Sequence, residues 1–146
     1  MAITQAICNS FKKQLLEGDA NFSNSSGDVF KIALYTSSAT LNSATTSFTT
    51  GNQVANSGQY TSGGGKLTGN NTSIASGVAI VDFADRSFTG VTLTARGALI
   101  YNTSSTATNA AVAALDFGAD KTATSGTFTI QFPAFTTAAA ILRISG

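Results

Sequence analysis

Between Gly77 and Ile144 the apolar residues come in short runs that repeatedly alternate with polar ones, and this pattern restricts the fold more than any other feature. The runs are GVAIVDF (77–83), VTLTARGALIY (91–101), AAVAALDF (110–117), GTFTIQF (126–132) and AILRI (140–144), separated by segments rich in Ser, Thr, Asn, Gly and Asp. Val91 and Leu93 alternate with Thr92 and Thr94. Phe128, Ile130 and Phe132 alternate with Thr127, Thr129 and Gln131. A period of two places one set of side chains in a core and the other in water, as in a half-buried antiparallel strand. VFKIALY (29–35) reads the same way, with Phe30, Ile32 and Leu34 on one face and Lys31 on the other. Gly97, inside the longest run, marks a bulge or a change of strand, and Pro133 closes a strand where a missing N–H costs little. These strands predict a mainly β chain: an antiparallel β-sandwich or barrel, jelly-roll or Greek-key in style, with one N-terminal α-helix.

That helix is expected over residues 3–17, within an amphipathic N-terminal segment 1–18. Thr4 is the candidate N-cap, and Ile3, Ile7, Phe11 and Leu15 recur every four residues. Leu16 widens the stripe, Lys12, Lys13 and Glu17 lie opposite, and Gly18 stops the helix. So short a helix does not hold alone, so its stripe either covers an open face of the sandwich or docks on a neighbouring subunit. Cys8, without a basic neighbour or a His, reads as a small buried hydrophobe.

Residues 19–28 form a turn-rich link. Residues 36–76 then change character: 17 of these 41 residues are Ser or Thr, and Lys66 is the single charge. The apolar residues here, including Leu41, Phe48, Val54, Tyr60, Leu67 and Ile74, stand far apart. Short edge strands joined by long loops are expected, as a structured surface excursion or a partly ordered arm. The whole is read as one domain, 1–146, with a β-sandwich body over 29–146. Ile3, Ile7, Phe11 and Leu15, with Phe48, Val54 and Tyr60 from the charge-poor stretch, are the candidate interface residues.

Composition narrows the chemistry. Of 146 residues 10% are charged, the net charge is +1, and there is no His or Trp and one Cys. Without His, neither a Ser–His–Asp nor a Cys–His arrangement is available, nor the usual catalytic zinc sites. One Cys forms no internal disulfide. The only adjacent basic pair, Lys12–Lys13, is far from the clustered Lys and Arg that nucleic acid requires. No apolar run approaches the ~20 residues of a membrane helix, and the N-terminus lacks the pattern of a secretory signal. The chain is therefore expected to be non-enzymatic, with no cofactor, no metal, no nucleic acid and no membrane.

Individual motifs favour plain roles. SGGGK (62–66) lacks the first Gly of a phosphate loop, having Tyr60 there, and Leu67 follows Lys66 where Ser or Thr is needed. Asp82 with Asp85, and Asp116 with Asp120, offer paired carboxylates, but glycoside hydrolysis needs them facing across a cleft with sugar platforms. Turn capping beside Arg86 and Lys121 is the simpler reading. A carbohydrate-binding sandwich would require Tyr35, Tyr60, Tyr101 and the aspartates to converge. Asn-x-Ser/Thr triplets at Asn21, Asn24, Asn70, Asn71 and Asn102 follow from composition.

MAITQAICNSFKKQLLEG at the start, then FKIALYTSSATL, GQYTSGGGKLTG, GALIYNTSS and AVAALDFG, taken in order, resemble small virion structural proteins of tailed bacteriophages over nearly the whole chain. The resemblance implies a component of the particle, and for a domain of this size a capsid decoration or cement protein. Its partners would be the major capsid protein and sibling subunits, as a homo-oligomer on the virion surface, made in the bacterial host cytoplasm. A head-fibre, tail or neck protein is the alternative position. One departure is Gln53, where members of the family often carry an acid, which puts a charge-based contact there in doubt.

Overall fold

In the computed structural model residues 2–133 and 140–145 are described; residue 1 of the expected N-terminal segment, and residues 134–139 and 146 of the expected body, lie outside them. The order of elements is β1 (Ala6–Ile7), α1 (Asn9–Leu16), β2 (Phe30–Tyr35), β3 (Gly65–Lys66), β4 (Asn71–Ala75), β5 (Val78–Asp82), β6 (Arg86–Asn102), β7 (Ala110–Ile130) and β8 (Leu142–Ile144). They form two antiparallel sheets, ordered β1-β7-β6-β2-β3 and β4-β5-β8. The architecture is mainly β and sandwich-like, with one short helix and with sheets that do not close into a barrel.

The dominant element is the β6–β7 hairpin, which runs from Arg86 opposite Ile130 to Asn102 opposite Ala110. AAVAALDF and GTFTIQF, read separately from sequence, are two ends of the one strand β7. The polar stretch between them keeps strand geometry because β6 bonds it throughout. Register shifts interrupt the ladder at four places, one between Ala95 and Gly97; of the bulge or change of strand expected at Gly97, the structure has the bulge. There two steps along β6 match five along β7, so Phe117, Gly118, Ala119 and Asp120 bow outward opposite Arg96.

Core strands are covered on both faces. In β2, Phe30, Ile32, Ala33, Leu34 and Tyr35 are all buried, so the expected wet face is confined to Lys31. α1 packs on β7, where Ala110, Ala111, Ala113 and Ala114 are small enough to let elements approach closely. A row of rings ties the layers together. Phe11 of α1 meets Phe22 edge-on at 5.8 Å, Phe22 stacks on Phe30 of β2 at 4.4 Å, and Phe83 lies 5.8 Å from Phe30. Each such pair contributes about 0.5–1.5 kcal/mol beyond its buried area.

The N-terminal segment departs from expectation. The helix begins at Asn9 rather than residue 3, Cys8 rather than Thr4 is its N-cap residue, and no side chain caps it. Thr4 N–H donates to the Leu41 carbonyl and Cys8 N–H to the Val112 carbonyl. With these donors spent elsewhere, Ile3 bridges Leu41 and the following residues run to the edge of β7, where Ala6 and Ile7 pair with Ala114 and Ala113. Gly18, at φ +74°, ends the helix as expected.

Residues 36–76 are structured, and they thread into the body instead of lying over it. Ala39, Leu41, Val54, Tyr60 and Leu67 are all buried. Residues 46–48 close the outer edge of β7 near Ala110, while Ser57 and Gln59 bond the far edge of β6 at Thr92 and Thr89. Beyond Asp116 the outer edge of β7 has no strand partner among the described residues. Gly97 is required where Ile3 crosses β6, since a Cβ there would press on the Leu115 carbonyl and the Ile3 side chain. We expect Gly97→Ala to destabilise the chain by roughly 1–3 kcal/mol, the range for overpacking, read as a lower urea midpoint at unchanged slope.

Candidate functional site

The helix and the three-stranded sheet enclose an apolar groove of about 400 Å³. α1 supplies Phe11, Lys12 and Leu15, with Ile7 and Phe22 beside them, and the three-stranded sheet supplies Thr72, Ala79, Val81, Leu142 and Ile144. The sheet side follows from register. Ile74, Ala79 and Ile144 are direct cross-strand neighbours, as are Thr72, Val81 and Leu142, so a period of two sets all six on one face. Val81 and Leu142 pack into the core, whereas Ile74 and Ile144 stand out from it. Leu16 at 90%, Ile74 at 74% and Ile144 at 56% exposure are the large exposed hydrophobics of the described chain; Ile144 lines the groove, and Ile74 pairs with its lining residue Ala79. Among the described residues Lys12 and Arg143 are its charged lining residues.

The candidate interface residues divide. Phe11, Ile7 and Leu15 line the groove, the first buried and the other two half-buried. Ile3, Val54 and Tyr60 are buried away from it, with Tyr60 at 0% exposure. Phe48 is half-buried and stacks on Tyr101 at 4.7 Å. Ile74 and Ile144 were not singled out for this surface. The available signal was a lone isoleucine in the polar run NTSIAS and the alternation in LRI.

The tyrosine hydroxyls are spent inside the protein, Tyr60 on the Gln53 amide and Tyr35 and Tyr101 on backbone carbonyls. Leu34 N–H donates to the Tyr60 hydroxyl at 2.8 Å, and that hydroxyl donates to Gln53 Oε1 at 3.1 Å. Gln53 Oε1 also accepts the Gly63 N–H at 2.6 Å, and its Nε2 donates to Ser62. Tyr101 donates to the Gly63 carbonyl and Tyr35 to the Thr49 carbonyl. Burial pushes the Tyr35 hydroxyl up to about 12 and raises those of Tyr60 and Tyr101 as well. Gln53 thus holds a loop closed with a neutral side chain. Gly63 and Gly64, both at positive φ, bring that loop so close to β2 that a Cβ on Gly64 would strike the Ile32 carbonyl. β3 follows this loop as a strand, with no helix for a phosphate site.

The aspartates are dispersed. Asp116 bonds Arg96 at 3.2 Å and accepts the Gly118 N–H, which with the guanidinium lowers its pKa. Asp85 accepts the Phe132 N–H. Asp82 is raised, chiefly by desolvation. Asp19 accepts the Ser105 and Thr106 hydroxyls and the Thr106 N–H, tying the helix end to the β6–β7 turn. None bonds a tyrosine hydroxyl, so the convergence a carbohydrate site requires is absent among the described residues. Cys8 is fully buried, as expected, and burial pushes its thiol up to about 11. Among the described residues no three His, Cys, Asp or Glu gather to hold a metal, and no helix is long and apolar enough to cross a membrane.

Fold and surface together define an open, two-sheet antiparallel protein whose polar chemistry is turned inward and whose outstanding external feature is one apolar groove. No family model, no curated protein and no solved structure matches the chain.

Tyr60→Phe is expected to cost roughly 1–3 kcal/mol, because the Leu34 N–H loses its buried acceptor, read as a lower urea midpoint. Stability should also fall in acid. The Asp19 carboxyl is held below its ordinary value by the Ser105 and Thr106 bonds. Its contribution is present above the ordinary aspartate range and is lost as pH falls through the depressed value. Asp19→Asn should flatten the acid limb of a stability–pH curve.

Proposed function

We propose that this chain is a non-enzymatic structural component of a tailed-bacteriophage particle, a capsid decoration or cement protein that acts by contact. One observation carries the contact role: exposed Ile144 lines an apolar groove and exposed Ile74 pairs with its lining residue Ala79, while the tyrosines are spent on internal hydrogen bonds. An apolar surface rimmed by polar groups is the usual mark of a protein–protein contact. The phage assignment rests on the resemblance of the ordered sequence segments. Sparse charge suits such a role, because few ions have to be desolvated when flat Ser/Thr-rich surfaces meet. Repetition over a lattice then supplies avidity, so each contact can be weak.

Purified particles of the phage that encodes this chain should contain it in hundreds of copies relative to the shell protein, counted by quantitative mass spectrometry. A handful of copies would move it to a fibre, tail or neck, and its absence would overturn the reading. The double variant Ile74→Ser/Ile144→Ser should keep wild-type stability within about 0.5 kcal/mol, since both side chains are exposed, yet occupy particles at least tenfold less.

A further inference from the structure

Where β3 borders β2, the sheet sets two positive charges side by side. Lys31 of β2 faces Lys66 of β3 directly across the strands. Of all the strand pairings among the described residues, this alone joins two charged side chains. The next pair in register, Phe30 with Leu67, carries a ladder bond from the Leu67 N–H to the Phe30 carbonyl. Bonded and non-bonded pairs alternate along an antiparallel ladder, so Lys31 and Lys66 form a non-bonded pair, the kind whose side chains stand closest. Like charges placed directly opposite are destabilising. Lys31 is also the one residue of β2 that is not buried, and its Nζ reaches back over the glycine loop. A Cβ on Gly63 would sit 3.5 Å from that Nζ and 3.3 Å from the Tyr101 hydroxyl. The ion pairs among the described residues are Lys13–Glu17 and Arg96–Asp116, and neither Lys31 nor Lys66 has a carboxylate or a hydrogen-bond acceptor among them.

We propose that Lys31 and Lys66 together bind one doubly charged oxyanion, a phosphate group. A local rule broken at one place, with no gain inside the fold to offset it, is the mark of a functional position. Cross-strand Cβ atoms about 5 Å apart let two ammoniums donate to the oxygens of a single dianion. A lone carboxylate would leave one of the two charges standing. The glycine loop is not itself the receptor, since the Gly63 N–H is spent on Gln53 and the Gly64 N–H on the Thr61 carbonyl. Neither lysine lines the apolar groove, so this site is independent of the contact role proposed above.

The intact protein can be titrated with inorganic phosphate at an ionic strength held constant with NaCl, following backbone amides by NMR and stability by urea. Saturable shifts at Lys31, Lys66 and Gly63 are expected, with a higher urea midpoint than chloride alone gives. Lys31→Gln and Lys66→Gln should each weaken binding about tenfold. In phosphate-free buffer Lys66→Gln should be at least as stable as the wild type, because Lys66 is exposed and its removal relieves repulsion. Binding lost while stability is kept separates a ligand site from a structural lysine. Phosphate should bind less tightly in acid, where it becomes a monoanion, and sulfate should not. Either result with glycerol phosphate supports an oxyanion site: equal binding assigns it to phosphomonoesters, and rejection assigns it to the free ion. No saturable shift, the same response to chloride, or undiminished binding in both variants would overturn the proposal. So would a Lys66→Gln protein less stable than the wild type in phosphate-free buffer.

Discussion

Everything in this molecule is arranged on one antiparallel ladder, β6 against β7. It joins Arg86–Asn102 to Ala110–Ile130, and its bulges bend it so that its faces can be covered. The other elements mostly close what it leaves open. β2 and residues 57–60 occupy the free edge of β6. Residues 46–48, β1 and Gln5 occupy the first third of β7. α1 covers a face of β7 that alanines have made flat. If the ladder were lost, β1 would lose its strand partner and β2 would keep only the short β3.

Much of the edge closure is done by side chains acting in place of strands. The Tyr60 hydroxyl accepts the Leu34 N–H, Gln59 accepts the Thr89 N–H, Ser57 the Thr92 N–H, and Gln5 the Asp116 N–H. This gives the Ser, Thr and Gln content a structural use. A neutral side-chain oxygen satisfies a backbone donor without the desolvation that a buried charge would cost. Low charge and high hydroxyl content are then two aspects of one solution, a sheet whose borders are finished by short polar side chains.

The strands were legible because alternation survives wherever one face is wet, as in Val91 to Thr94 and Thr127 to Phe132. The bulge at Gly97 was legible for the same reason: a residue without a side chain interrupted the pattern. What sequence could not resolve was which period a spacing of four belongs to. Ile3 and Ile7 fit a helix, yet four is also a multiple of two, and tertiary hydrogen bonds to Leu41 and Val112 decided for an extended edge. The scattered apolar residues of 36–76 gave no period at all, so their burial depended on partners far away in sequence. The groove was half legible. Its helical side, Phe11 and Leu15, came from the stripe, but its sheet side required the register that lines up Ile74, Ala79 and Ile144.

The docking of β1 on β7 also has a consequence for how the chain reaches this state. Ala6 pairs with Ala114, so β1 has its partner more than a hundred residues away along the chain. The ladder itself can close locally around its turn at residues 103–109. The N-terminal edge cannot form until β7 has been made, and closing so long a loop is slow compared with forming a hairpin. Until that loop closes, Ile3, Ile7 and Phe11 stand in water without their final neighbours, so this edge of the sheet assembles after the hairpin it borders.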